Sequence, residues 1–357
     1  MRFMKLLTPN ASSLAVAAGI AGLLGVISPN VVRAQLFVVD NPGGRIAAYD
    51  PVSGAVLNTN LIGGLSSPNQ LATDGNGNLF IANYASGTIG KYTLSGAPVN
   101  TSLITGLHSS GIAVDQSGNL YVANYLAGTI SKYSTSGTLI NASLITGLNS
   151  PYRLAVEGTD LYVSDAGNSR IGKYTTSGGT VNPALISGIH SGGLALDGQG
   201  HLYASDYLAG TVGVFTTSGT TNNASLITGL ANPNGPYGIA LDGSGSLYVA
   251  DYYHFAVGKY TTSGATNNAS FIPGFRFALD VLVVVPEPGV SLLAALGFTL
   301  FLLRGKKNPR IDYGMRPGIT NGGVTNVRLG ERESVGLPSS TFHHLPGPSV
   351  HLPRRGS

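Results

Sequence analysis

Between Leu36 and Val285 short apolar runs alternate with short polar breaks. The runs are rich in Leu, Val, Ile and Tyr, and the breaks in Gly, Asn, Asp and Ser. β-Branched and aromatic residues favour pleated strands, and the break residues favour tight turns. The pattern therefore predicts many short strands joined by hairpins. It also repeats. Segments of the type "LYVANYLAGTISKYS" begin at Leu36, Leu79, Leu120, Leu161, Leu202 and Leu247, at spacings of 43, 41, 41, 41 and 45 residues. Between them recur a phrase of the type "SGIAVDQSGN" and one of the type "NASLITGL".

Each unit reads as four strands: a ("GIAVD"), b ("LYVAN"), c ("TISKY") and d ("NASLIT"). Four antiparallel strands in about 41 residues is the signature of a β-propeller blade. The first a strand follows the first b–c–d set, and the last, Phe277–Asp280, follows the final d strand. The N-terminal strands from Leu36 to Ile62 are therefore expected to pair with the C-terminal inner strand. That closes the ring and removes its exposed edges. The predicted fold is all-β: a six-bladed β-propeller of four-stranded antiparallel blades. The phrase "GIAVDxxGNLYVAN" with its following "KY" resembles the NHL-type repeat and its six-bladed relatives, over residues 36–285. The resemblance implies a fold. Hydrolases, lyases, ligand sensors and scaffolds share it, so function has to be argued from the site.

The two ends read as addresses. Arg2 and Lys5 precede an apolar, alanine-rich run from Leu14 to Ile27, and Val32-Arg33-Ala34 offers a cleavage site before Gln35. Residues 1–34 are read as a secretory signal peptide, with signal peptidase as the processing partner. Residues 35–285 form the propeller. Residues 286–307 hold Pro286-Glu287-Pro288, the apolar run Val290–Leu303 and the basic group Arg304, Lys306 and Lys307. As a helix the apolar run spans about 21 Å, against about 30 Å of bilayer hydrocarbon. The two prolines force extended backbone ahead of it. This order resembles the PEP-CTERM sorting signal, with Pro286, Glu287, Pro288 and Arg304 as its matching residues. The resemblance implies export, transient inner-membrane anchoring through the C-terminal helix, processing by an exosortase, and display at the cell surface or release. That signal usually ends soon after its basic cluster. Here residues 308–357 follow, rich in Pro, Gly, Arg and His, and read as a disordered tail.

Charge changes the picture in one respect. The net charge of +4 is carried by the ends: +3 over residues 1–34, −4 over 35–285 and +5 over 286–357. The body holds no cluster of Lys or Arg, which excludes nucleic acid as a partner. The absence of cysteine excludes a disulfide framework and a thiolate metal site.

In a propeller the d–a and b–c loops share one end of the channel. They carry Asn69, Gln70, His108, Ser109, Tyr152, Arg153, His190, Tyr237 and Arg276. The b strands end there in Asp40, Asn83, Asn124, Asp165, Asp206 and Asp251, followed in four blades by Tyr84, Tyr125, Tyr207 and Tyr252. The recurring Asp/Asn positions read first as turn formers. So do Asp74, Asp115, Glu157, Asp197 and Asp242 at the opposite end. His108 and His190 occupy equivalent positions two blades apart, and with Asp165 or Asp206 form the alternative of a divalent-metal or acid–base site. Arg153 and Arg276 are candidates to grip an anion or the carboxylate of a sugar acid. The tyrosines read as inter-blade packing, with stacking on sugar rings as the alternative. "NAS" at Asn141, Asn223 and Asn268 matches a glycosylation sequon that the repeat itself explains. No Gly-x-Ser-x-Gly elbow, phosphate-binding loop or His-Glu-x-x-His is present.

The expected function is that of an exported, non-enzymatic binding or scaffold protein. It needs no cofactor and engages an extracellular glycan or protein through one face. The alternative is a metal-dependent, lactonase-like hydrolase or a lyase. Propellers of the gluconolactonase type hold a divalent cation with Glu, Asn and Asp at the channel mouth. The sole body glutamate, Glu157, falls at the other end of its strand.

Overall fold

The computed structural model describes residues 33–231, 233 and 235–285. It contains six four-stranded antiparallel sheets. Blade 1 comprises Pro68–Thr73, Asn78–Asn83, Thr88–Thr93 and Pro98–Thr105. Blade 2 comprises Ser109–Val114, Asn119–Asn124, Thr129–Ser134 and Leu139–Ile145. Blade 3 comprises Pro151–Glu157, Asp160–Asp165, Arg170–Thr175 and Thr180–Ser187. Blade 4 comprises Ser191–Leu196, His201–Asp206, Thr211–Thr216 and Thr221–Ile227. Blade 5 comprises Ile239–Leu241, Ser246–Asp251, Ala256–Thr261 and Thr266–Pro273. Blade 6 is built from both ends: Ala278–Val284 pairs with Gln35–Asp40, followed by Arg45–Tyr49 and Val56–Ile62.

The closing strand runs further than the a phrase predicts. No Ser-Gly or Asp-Gly turn follows Asp280, so the β-branched residues Val281–Val284 continue the ladder, and Val284 faces Gln35. Because a strand runs from the d–a loops to the a–b turns, the described chain enters and leaves at the a–b end.

The b strands read as unbroken apolar runs for a reason that the fold supplies. Each blade lies between two others, so both faces of its sheet are buried. In Gln35–Asp40, Leu36 and Val38 pack toward blade 5, whereas Phe37 and Val39 pack toward blade 1. Six such clusters, each shared by two adjacent blades, make up the apolar core.

Polar staples join the blades around the ring. Lys91, Lys132, Lys173 and Lys259 on c strands donate to the carbonyls of Thr135, Thr176, Thr217 and Pro51 in the next blade, at 2.8–3.2 Å. Each ammonium also lies 5.2–5.3 Å from the ring of Phe80, Tyr121, Tyr162 or Tyr248 on its own b strand. The "KY" phrase is therefore a joint between blades. The outer strands carry a further device. The Oδ1 atoms of Asn58, Asn100, Asn141, Asn182, Asn223 and Asn268 each accept the N–H two residues on, at 2.9–3.1 Å. This occupies an edge donor that would otherwise invite strand pairing. It also gives the recurring "NAS" a structural reason.

Among the described residues no helix is long and apolar enough to cross a membrane. Val290–Leu303, the Pro286–Pro288 triplet, Arg304 and the leader before Arg33 lie outside the described residues.

Candidate functional site

The channel is divided by a polar layer. Arg153 is fully buried on the inner strand of blade 3. Its Nε donates to Gly192 O at 2.8 Å, Nη1 to Asn69 Oδ1 at 2.7 Å and Ser110 O at 3.0 Å, and Nη2 to Leu279 O at 3.2 Å. One guanidinium thus ties blade 3 to blades 1, 2, 4 and 6 across the axis. Gln70 spans the same layer: its Oε1 accepts from Ile112 N at 3.0 Å and its Nε2 donates to Leu154 O at 3.3 Å. Asp280 completes it, accepting Leu71 N at 2.9 Å. Burial drives the Asp280 carboxyl up to about 6, against the opposing pull of Arg153 and of the N–H groups of Leu71 and Val281. Asn69, Gln70, Ser109, Tyr152 and Arg153, read from the sequence as loop residues, all lie on inner strands. Arg153 is consequently a plug in the channel and not a rim group open to an anion.

Below this layer the channel is lined by Leu, Val, Ala and Ile and encloses about 270 Å3. Above it, at the end shared by the d–a and b–c loops, is a cup of about 300 Å3 walled by Tyr125, Tyr152, Tyr207, Tyr237 and Ala166. The repeat explains the shape. Blades 1, 2, 4 and 5 place a tyrosine after the b strand, whereas blade 3 has Ala166 and blade 6 has Asn41 there, and the cup opens beside Ala166. The rings run edge to face: Tyr84 to Tyr125 at 6.1 Å, Tyr125 to Tyr152 at 6.4 Å and Tyr152 to Tyr237 at 6.2 Å. Tyr207 and Tyr237 stack at 5.4 Å. The Arg153 guanidinium lies 4.6 Å from the Tyr152 ring and borders the lower cavity. Burial raises the phenol pKa of Tyr152, Tyr207, Tyr237 and Tyr252. At neutral pH the cup therefore offers π faces and neutral hydroxyl groups.

The acidic candidates are engaged elsewhere. Asp165 is fully buried; it accepts Asn149 N at 2.6 Å, Asn168 Nδ2 at 2.8 Å and Arg170 Nε at 2.8 Å. Asp251 accepts Ala231 N at 3.1 Å and pairs with His254 Nδ1 at 2.7 Å. Asp206 holds the N–H groups of Leu208 and Ala209, each at 3.0 Å. These are loop-forming bonds, as the turn-former reading expects. At the opposite end Asp74, Asp115, Asp197 and Asp242 bond turn N–H groups in the same way.

The histidine pair is not brought together. His108 is exposed beside Tyr84, with Nδ1 3.4 Å from Tyr84 O. His190 packs on Tyr207 and bonds Ser169 Oγ at 2.8 Å. Among the described residues no three His, Asp or Glu side chains stand close enough to hold a metal ion. Asp165 and Asp251 have both carboxylate oxygens bonded, whereas Asp40 Oδ1, Asn83 Oδ1 and Asn124 Oδ1 are buried without a partner.

Arg276 is exposed and precedes Phe277, which stacks on Tyr252 at 4.4 Å. Sequence reasoning named Tyr237 and Tyr152 but missed the polar layer, because the partners of Arg153 come from four blades. It also missed Ala166 and Phe255. The signal for both was a break in the repeat: Ala166 stands where four blades have tyrosine, and Phe255 where four blades have glycine.

The Virginiamycin B lyase family profile matches residues 36–272. No protein of curated function matches the sequence. Among solved structures, the fold is similar to a chain of a nidogen/laminin complex, with TM-score 0.60 and 16% identity over 71% of this chain and 99% of that one. It is similar to a gluconolactonase from Xanthomonas campestris, with TM-score 0.54 and 17% identity over 69% and 87%. It is also similar to a catalytically inactive virginiamycin B lyase from Staphylococcus aureus with quinupristin, with TM-score 0.52 and 17% identity over 66% and 80%. At these identities the likeness establishes the propeller fold.

Proposed function

The chain belongs to the virginiamycin B lyase family, and from that premise we propose that it is an exported binding propeller whose tyrosine cup takes an extracellular ligand without turning it over. One observation carries this reading. The channel mouth presents four tyrosines above a sealed guanidinium, and the carboxylates of Asp165 and Asp251 are held by loop bonds. Aromatic faces with hydroxyl edges suit ligands that have a flat apolar face and a polar rim.

The two addresses are compatible with this role. Cleavage before Gln35 leaves the b strand of blade 6 whole, since Gln35 is its first residue. Pro286 follows directly on the closing blade, whose strand ends at Val284. Both exits lie at the a–b end, opposite the cup. On this reading signal peptidase and an exosortase are the processing partners. The intact mass of the protein from its native cells and medium tests that part. A chain running from Gln35 to the Pro286–Pro288 region is expected, and one that retains Val290–Leu303 would remove the sorting claim.

Titration calorimetry of the full-length chain and Tyr237→Ala against a panel of sugars and extracellular proteins tests the cup. At least a tenfold loss of affinity is expected, because Tyr237 touches three of the other rings. Unchanged binding in the variant sinks the cup as the site. Turnover of a lactone or a cyclic depsipeptide by the wild type would restore the hydrolase or lyase alternative.

A further inference from the structure

The fifth residue of each b–c loop, counted from the b-strand Asp or Asn, has positive φ: Gly44, Gly87, Gly128, Ser169, Gly210 and Phe255, at 50–66°. Two blades depart from glycine there, blade 3 with the small Ser169 and blade 5 with the bulky Phe255. The fold imposes this conformation. Gly44 O, Gly87 O, Gly128 O and Ser169 O each accept an N–H from the following d–a loop, and Phe255 O accepts both Gly274 N and Phe275 N. Glycine is the natural occupant, and a bulky residue there is an outlier. Blade 5 nevertheless carries Phe255, with Tyr253 two residues before it. Both side chains are nearly half exposed, at 46% and 44%. Strain that persists where glycine would relieve it points to use of the side chain.

The two rings extend the cup. Tyr237 meets Tyr252 at 5.2 Å, Tyr252 stacks on Phe277 at 4.4 Å, and Phe277 meets Tyr253 at 5.8 Å and Phe255 at 5.7 Å. An unbroken aromatic path thus leads from the axis to the rim of blade 5. The charges along it are unequal. The Asp251 carboxylate is bonded to His254, whereas Arg276, adjoining Phe277, is exposed. Resting on the binding role proposed above, we infer that this path is a second subsite, and that the ligand is a linear, uronate-bearing oligosaccharide with one ring in the cup and the next on the Phe277–Phe255 surface. A pyranose lays its apolar face on such rings, and a carboxylate suits the guanidinium of Arg276. A protein hot spot would use similar side chains. The sugar is favoured because the path starts inside a single-ring cup and carries little free charge.

The test uses calorimetry on the full-length chain with galacturonic acid, trigalacturonate and cellotriose. Trigalacturonate is expected to bind at least tenfold more tightly than the monomer. Phe255→Gly installs the residue of four other blades, so the fold is retained. It is expected to erase the length gain and leave monomer affinity unchanged. Arg276→Gln is expected to weaken trigalacturonate several-fold and spare cellotriose. Equal affinity for monomer and trimer, or a length gain that survives Phe255→Gly, overturns the second subsite while the cup stands. Monomer binding insensitive to Tyr237→Ala overturns the cup itself. Absence of binding by all three sugars overturns the glycan assignment and leaves the surface to a protein partner.

Discussion

Replacing Arg153 with methionine keeps an unbranched apolar stem and removes the guanidinium at the centre of the ring. Asn69 Oδ1, Ser110 O, Gly192 O and Leu279 O then lose their donor in a buried layer. Each unmet acceptor costs about 1 kcal/mol or more. Asp280 also loses its neighbouring cation, and removing one partner of a buried charged network costs about 3–5 kcal/mol. Arg153→Met is therefore expected to lower the unfolding free energy by about 6 kcal/mol at pH 8, roughly 4 from the four acceptors and roughly 2 from the ionised Asp280. The effect depends on pH with a definite sign. The Asp280 carboxyl is raised to about 6 in the folded protein, against about 3.9 in an unfolded chain. Its contribution to stability is full below about pH 4 and is lost as pH rises through about 6. Without Arg153 that carboxyl moves higher still. At pH 5 it is largely protonated in both proteins, so the variant should lose only the acceptor cost, roughly 4 kcal/mol. Urea unfolding of the full chain at pH 5 and pH 8, followed by far-ultraviolet circular dichroism and tyrosine fluorescence, measures both losses. A loss under about 1 kcal/mol at pH 8, or the same loss at both pH values, would refute the account of the polar layer.

Two further expectations concern the ring. In Lys132→Met, Thr176 O keeps only the Tyr121 hydroxyl at 3.3 Å and the Tyr121 ring loses its cation; a cost of about 1 kcal/mol should lower the melting temperature by about 2–4 °C, and an unchanged melting curve rules out the staple. In Asp115, Asp197 and Asp242, burial favours the neutral form, but hydrogen bonds from Asn119, His201 and Ser246 and from other turn groups outweigh it and hold the carboxyls below their usual value. Their contribution is present above about pH 4 and is lost as pH falls through their folded values. Asp115→Asn should therefore destabilise by about 1 kcal/mol at pH 7, and that loss should shrink as pH falls below about 4, which a urea series from pH 7 downward will show.

Much of the architecture was legible because a propeller is a local code repeated. The turn residues after each a strand, the two-sided apolar b strands and the 41-residue period specify a blade without reference to distant sequence. The order of phrases at the two ends also specified closure, since an orphan a strand and an orphan b–c–d set complement one another. The loop-forming role of Asp165, Asp206 and Asp251 was legible for the same reason: an Asx turn is made within a few residues.

The site was not legible in that way. Arg153 looked like a rim cation because its neighbours in sequence, Tyr152 and Leu154, say nothing about what faces it across the axis. Its partners at positions 69, 110, 192 and 279 are set by the radius and stagger of the ring. His108 and His190 looked like a pair because the repeat made them equivalent, yet each packs against the tyrosine of its own surroundings. The sequence by itself determined the elements, their number and the way the ring closes, because those depend on short-range periodicity and turn chemistry. Only the tertiary structure decided that one arginine seals the channel, that four tyrosines meet above it, and that Phe255 extends them to the rim. Those facts are distances across an axis that six separate segments share.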